Sequence, residues 1–235
     1  ESAIVSAAYG LSVNGFKAVM EMQFADFVSS GFNPIVNLLA KSHYRWQQKA
    51  DIVVRMPCGA GVNAGPFHSQ TNEAWFTKTP GLIVVYPAFP SDAKGLLASA
   101  IENPNPVMFF EHKALYRSVY QEVSTNSYTT EIGKAAVVKQ GDALTIISYG
   151  AAIHWVLESL EKQQIENIDV IDLRTLQPLD VATIYSSVKK TGKAIIVQED
   201  SMFGISQDYE WVICFSKGKD FVAGIESGSR KYFET

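Results

Sequence analysis

Within residues 59–70, GAGVNAGPFHSQ, one imidazole stands among three glycines, two alanines and a proline. Imidazole is the side chain whose ordinary titration falls near neutral pH, so His68 is a candidate to give or take a proton. Small residues at this density let a backbone turn sharply and let a second molecule approach the main chain. The apolar run Ile52-Val53-Val54 comes just before, and α/β proteins place reactive groups on loops at strand ends. On its own, a short glycine loop describes a solvated surface turn equally well. The other imidazoles are less well placed. His154 lies beside an apolar helical face, and His43 and His112 have no comparable setting. Cys58, at the loop entrance, suits packing.

The loop needs a scaffold, and apolar periodicity supplies one. Ile4, Ala7, Ala8 and Leu11 fall at i, i+3, i+4 and i+7, which predicts a helix with that face inward, ended by Asn14-Gly15. Residues 16–22 read as a strand and 25–46 as helix, broken or kinked at Pro34. Residues 51–56 form a short buried strand ahead of the glycine loop. A short helix over 71–76 and a strand over 82–86 follow. Ser91 is placed to cap a helix carrying Ala93, Leu96, Leu97, Ala100 and Ile101 on one face, before a strand over 107–110. The period fades over 113–130, which predicts two domains, 1–120 and 121–235. In the second, strands over 143–148, 168–173 and 194–197 alternate with helices marked by Ile153, Val156, Leu157 and Leu160, then by Val181, Ile184 and Val188. Strands alternating with helices predict α/β domains with parallel sheets covered on both faces. A helix is one reading of 205–215, and 217–235 give no clear element.

The totals narrow the classes. With 235 residues, 47% of them hydrophobic, the chain can bury a substantial core. A net charge of −4 with scattered lysines and arginines argues against nucleic-acid binding. The two cysteines, Cys58 and Cys214, build no disulfide framework and fit a reducing compartment. No apolar run is long enough to span a membrane and no targeting segment is seen. Bacterial cytoplasm or mitochondrial matrix is the expected location. Glu1 leads straight into a helical pattern with no cap before it, so natural sequence is expected upstream.

Four segments in order, EMQFADF (21–27), RMPCGAGVNAGPFHSQ (55–70), PSDAKGLLASAIENPNPVMFFEHKALYR (90–117) and VIDLRTLQPLD (170–180), carry a family resemblance. The chain resembles the β subunit of the decarboxylating component of 2-oxo acid dehydrogenase complexes, thiamine-diphosphate enzymes acting on pyruvate or branched-chain 2-oxo acids. The resemblance covers roughly residues 1–204. It implies a thiamine-diphosphate pyrimidine-binding domain followed by a transketolase-type C-terminal domain. It also implies that Glu1 is the cofactor-activating glutamate, that Phe27 packs on the aminopyrimidine and that Gln23 lines the cofactor pocket. A carboxylic acid against the aminopyrimidine ring nitrogen favours the imino tautomer, which removes the thiazolium proton. His68 then orients substrate and stabilises charge during transfer to a lipoyl arm. Some relatives hold a potassium ion through main-chain oxygens, and the matching positions are Ala50, Ile52, Val53, Ala100, Asn103 and Asn105.

In thiamine enzymes a GDG segment and a downstream asparagine hold the diphosphate and magnesium. Gly141-Asp142-Ala143 lacks the second glycine and precedes a strand where the motif should follow one, so it reads as a turn. The diphosphate half and its magnesium are therefore expected on an α subunit or a fused upstream α segment, in an α2β2 assembly or fused dimer that serves a lipoyl-bearing acyltransferase core. Two other readings stay open: another transketolase-type thiamine enzyme, such as an acetoin dehydrogenase or ketol transferase, and a non-catalytic assembly subunit. The second draws on the abrupt start and on FGISQDYEWVICFSKGKD, where the family usually continues differently.

Overall fold

The computed structural model describes residues 1–199 and the backbone of 212–214, 225–226 and 229–230. In chain order the elements are α1 (Ser2–Val13), β1 (Ala18–Glu21), a 3-10 helix (Ala25–Gly31), a π-helix (Pro34–Leu39), α2 (Ala40–Trp46) and β2 (Ile52–Cys58). A 3-10 turn (Pro66–His68), α3 (Ala74–Thr77), β3 (Ile83–Val85), α4 (Pro90–Glu102), β4 (Val107–His112) and α5 (Leu115–Ser118) follow. Then come β5 (Ala136–Lys139), β6 (Leu144–Ser148), α6 (Ala151–Lys162), β7 (Ile168–Asp172), β8 (Thr175–Gln177), α7 (Val181–Thr191), β9 (Ala194–Gln198) and β10 (Val212–Cys214). Chain contacts divide these into two units, Glu1–Gly133 with Thr175–Pro178, and Lys134–Arg174 with Leu179–Thr235.

The first unit is built on a sheet in the order β1-β2-β4-β3-β8, parallel except for β8. β2 and β4 lie at its centre and are almost continuously apolar, as a parallel strand covered on both faces requires. Leu96 and Ala100 of α4 pack on Val53, Val85, Val107 and Phe109 of the sheet, all of them buried. α4 starts two residues earlier than expected. Phe89 is the N-cap and Pro90 takes the first helical position, where its missing N–H costs nothing. Ser91 is therefore inside the helix and caps nothing. Residues 121–130 are strapped onto α4: Thr130 N–H donates to Gly95 O at 3.0 Å, and Lys94 Nζ donates to Asn126 O at 2.9 Å. That strap carries the first unit past the expected 120/121 junction to Gly133.

α1 is a helix as expected, but it is rotated. Its buried residues are Val5, Ala8 and Ser12, while Ile4 and Leu11 are 46% and 50% exposed. The cause is polar: Ser12 Oγ accepts the Asp51 N–H at 2.7 Å, which turns the serine inward and the apolar stripe outward. The helix expected over 25–46 is three short helices, with Pro34 opening the second.

The second unit has strand order β10-β9-β6-β7-β5, with only β5 antiparallel among its pairings. Ile153, Val156 and Leu160 of α6 are buried as the periodicity predicts. β5 and β8 were not expected, since each is short and pairs antiparallel at a sheet edge. Most of the helix considered over 205–215 lies outside the described residues; its described part, Val212–Cys214, is a strand.

Asp180 caps α7. Its carboxylate accepts from Thr183 N–H at 3.1 Å, Thr183 Oγ1 at 2.8 Å and Ala135 N–H at 3.1 Å. Burial pushes its carboxyl up, but these bonds, with Lys134 nearby, outweigh burial and hold it below the ordinary value. A depressed folded value means that the contribution is complete above the unfolded value near ~4 and is lost as pH falls through the folded one. Asp180→Ala is expected to cost ~1–2 kcal/mol at neutral pH. In urea unfolding, the gap to wild type should narrow below about pH 4. A gap that persists undiminished into strong acid would contradict this.

Candidate active site

The site is assembled where β1 and β2 end. After β1 the chain passes buried Met22 and exposed Gln23 to Phe24, whose extended backbone caps the 3-10 helix Ala25–Gly31. Ala25, Asp26 and Val28 of that helix are buried. After β2 the loop 59–70 leaves and returns, closed by Gly59 N–H to Gln70 O at 3.1 Å. Two bonds tie its far end to the first turn: Gln70 N–H to Asp26 Oδ1 at 3.1 Å, and Asn72 Nδ2 to Ala25 O at 2.9 Å. The second oxygen of Asp26 and the amide oxygen of Asn72 are buried and have no hydrogen-bond partner among the described residues. Orphaned acceptors of this kind are rare and mark places where another group is needed.

The tie brings His68 against two aromatic rings. Its ring lies 4.7 Å from Phe24 and 5.5 Å from Phe27, edge-on to both, and the two phenyl rings are 5.7 Å apart. His68 Nδ1 is 3.0 Å from Ala64 O. A carbonyl only accepts, so Nδ1 carries a proton, and whenever the ring is uncharged Nε2 is its acceptor. Lys113 Nζ lies 5.4 Å from the Phe24 ring centre, within cation–π range.

Glu1 joins from α1. Its carbonyl accepts from Val5 N–H at 2.9 Å and opens the helix, while its side chain makes no capping bond. The carboxylate turns instead to Ser30, whose Oγ is 2.8 Å from Glu1 Oε2 and 3.2 Å from Phe27 O. Ser30 thus connects the acid to the aromatic pair. Gly31 lies beside the start of α1, where an added Cβ would press on Val5 at 3.2 Å and meet Glu1 at an ordinary 3.5 Å. Glu1 is therefore linked through the Ser30 hydroxyl to the Phe27 main chain, and Phe27 through its ring to His68. Gln23 is exposed at the same strand end and takes no part in the ring cluster.

Next to the loop, His112 at the end of β4 is 3% exposed. A Cβ on Gly59, which has φ +84°, would lie 2.1 Å from its Nε2. His112, Glu111, Arg55 and Tyr116 line a cavity of about 420 Å³ with Pro87, Phe89 and Leu97 among its apolar walls. Arg55 makes a bidentate pair with Glu111, at 2.6 and 2.7 Å, and meets Glu21 at 2.5 Å. Tyr116 donates to Glu111 at 2.6 Å, and burial, then that bond, pushes its phenol well above the ordinary value. Sequence reasoning missed Ser30, Asp26, Asn72 and His112. Only Asp26 had a signal, an acid inside an apolar run.

The positions matched to a potassium site lie at the other end of the strands. Ala50, Ile52 and Val53 open β2, and Ala100, Asn103 and Asn105 end α4 and lead into β4. The Asn103 carbonyl is already taken by Lys17 Nζ, at 2.9 Å. Gly141-Asp142-Ala143 lies between β5 and β6, with Asp142 N–H bonded to Asn167 Oδ1 at 2.8 Å.

Residues 1–119 match the family model for the transketolase pyrimidine-binding domain, and residues 133–208 match that for the transketolase C-terminal domain. The chain belongs to the transketolase pyrimidine-binding family. Among curated proteins it is 43% identical over 208 residues to the 2-oxoisovalerate dehydrogenase subunit beta of Bacillus subtilis, covering 87% of this chain and 64% of that one. It is 44% identical over 203 residues to the pyruvate dehydrogenase E1 component subunit beta of Staphylococcus aureus, covering 85% and 62%. The chain thus spans less than two thirds of the length of these relatives. A solved split-gene transketolase, described as an inactive beta4 tetramer, shares the fold with a TM-score of 0.73 at 24% identity, over 91% of this chain and 70% of that one. In this pyrimidine-binding domain the acid, the aromatic pair and the glycine loop all lie on the first unit.

Gly59 tests the loop's anchoring. Gly59→Ala places a side chain at positive φ and against His112. It is expected to cost ~2 kcal/mol or more and to speed proteolytic cleavage within 59–70. Unchanged cleavage and stability would show that the close approach to His112 does not constrain the loop.

Proposed function

We propose that this chain is the β half of a thiamine-diphosphate-dependent 2-oxo acid dehydrogenase component, which decarboxylates a 2-oxo acid and passes the acyl group to a lipoyl arm. The observation that carries the reading is the linked set Glu1–Ser30–Phe27–His68 at one strand end. Near-equal identity to relatives named for pyruvate and for 2-oxoisovalerate supports the 2-oxo acid class without choosing a side chain.

The residues fit the cofactor's pyrimidine half. Thiamine diphosphate, when bound, supplies the electron sink for decarboxylation. Glu1 would meet the aminopyrimidine ring nitrogen and share a proton there, its Oε2 fixed by Ser30. Phe27, half-buried, offers ring surface to the same heterocycle. His68 Nε2, left as an acceptor, would orient substrate and take up charge during acyl transfer. The diphosphate and its magnesium are assigned to an α chain or α segment, within an α2β2 or fused assembly that serves a lipoyl-bearing acyltransferase core. The outward apolar side chains Ile4, Leu11 and Phe16 support a partner-covered face. A potassium ion held through main-chain oxygens of Ala50, Ile52, Val53, Ala100, Asn103 and Asn105 stays part of this proposal.

His68→Ala should leave folding intact, since the half-buried imidazole makes one hydrogen bond among the described residues, to the loop backbone, beside its edge-on contacts with two rings. Activity of the assembled complex should fall by about 10²-fold or more. Calorimetry should find unchanged cofactor occupancy. Activity within about twofold of wild type at equal occupancy would leave only the surface-loop reading.

A further inference from the structure

We propose that His112 is a positioning residue for His68: its ring fixes the point at which the glycine loop leaves β2, and through it the place of the imidazole near the loop's far end. The inference rests on the role proposed above for His68. His112 ends β4, 3% exposed, in register with Cys58 at the end of β2. Lys113 N–H, just beyond it, donates to Cys58 O at 3.0 Å. Gly59 then turns away at φ +84°. The three atoms nearest to where its side chain would stand all belong to the His112 ring: Nε2 at 2.1 Å, Cδ2 at 2.2 Å and Cε1 at 2.8 Å. The imidazole therefore lies directly on the main chain of the loop's first residue, in space that only a glycine leaves open. Its own orientation is set, because Nδ1 accepts from Ala114 N–H at 3.3 Å.

The contact reaches His68 in short steps. Gly59 N–H donates to Gln70 O at 3.1 Å, so the residue under the ring also holds the far end of the loop, two residues past His68. Gln70 N–H is in turn on Asp26 Oδ1 at 3.1 Å. Just before that end the loop folds on itself. His68 N–H and Ser69 Oγ both donate to Gly65 O, at 3.2 and 2.7 Å, and His68 Nδ1 is 3.0 Å from Ala64 O. A shift of Gly59 is thus passed to Gln70 by a hydrogen bond and to His68 by the turn that ends there. Strand pairing carries the main chain only as far as Cys58 and His112, and the ring extends that support to the first residue of the loop. Reacting groups tolerate little displacement, since a misplacement of about 1 Å can cost about 10²-fold in rate. Shape carries the effect, and no step needs the His112 ring to change charge.

The test uses the chain assembled with its α partner, at equal cofactor occupancy, with a free lipoyl compound as acyl acceptor. His112→Ala should slow acyl transfer by about tenfold or more, with the same split between kcat and KM as His68→Ala. The double variant should be no slower than His68→Ala beyond about twofold, because placement matters nothing once the imidazole is gone. Diethyl pyrocarbonate, mapped by mass spectrometry, should modify His68 faster in His112→Ala than in wild type. If His112→Ala fails to fold, His112→Asn takes its place: it keeps an acceptor for the Ala114 N–H but not the ring atoms against Gly59. Unchanged modification of His68 would overturn the proposal. So would losses that multiply in the double variant, which is the behaviour of general structural damage. Transfer within about twofold of wild type in His112→Ala, where His68→Ala is slow, would overturn it too. A His68→Ala variant as fast as wild type would instead remove the role proposed for His68, and the modification rate alone would then decide whether His112 places it.

Discussion

Two hydrogen bonds, Gln70 N–H to Asp26 and Asn72 to the Ala25 carbonyl, hold the glycine loop on the turn that follows β1. Without them His68 would belong to a long surface loop, and Phe24 and Phe27 to a separate helix start. With them, three rings pack edge to edge and the imidazole has a defined orientation. The anchoring acid is itself short of partners: one carboxylate oxygen accepts from the loop and the other is buried and unbonded among the described residues. A helix entry that buries an acid beside aromatic rings is a poor packing choice. It is understandable if position, rather than stability, is what the segment supplies.

The rest of the first unit can be understood as support for that junction. β2 delivers the loop and β4 backs it, because His112 fills the space that Gly59 leaves open. Arg55, central on β2, is tied across the sheet to Glu21 of β1 and Glu111 of β4. This aligns the ends of the three strands from which the site is built. At the opposite end Lys17 connects the entries of the same strands. Charge is thus used at both ends of a sheet whose middle is apolar.

Much of this was legible in the sequence, for physical reasons. Buried parallel strands are largely apolar runs, so β2, β4 and β6 announce themselves, and α6 shows its inward face through Ile153, Val156 and Leu160. The order of strands and helices, and the family to which the chain belongs, follow from those runs and four contiguous motifs. What failed were decisions made by single polar contacts between distant residues. α1 turns because Ser12 bonds to Asp51, 39 residues on. β5 and β8 pair at sheet edges and are too short to show a period. Ser30, which fixes Glu1, is 29 residues from it, and no local pattern marks such a pair.

The central claim is that Glu1, oriented by Ser30, sets the protonation of the cofactor's aminopyrimidine. Exchange of the thiazolium proton in deuterated water, measured on the assembled wild-type complex and on Glu1→Gln at equal cofactor occupancy, tests it most directly. Glutamine keeps the shape but cannot hand over the proton, so the account predicts exchange slowed by about 10²-fold or more with cofactor affinity little changed. Exchange as fast in Glu1→Gln as in wild type would remove Glu1 from the chemistry and contradict the account.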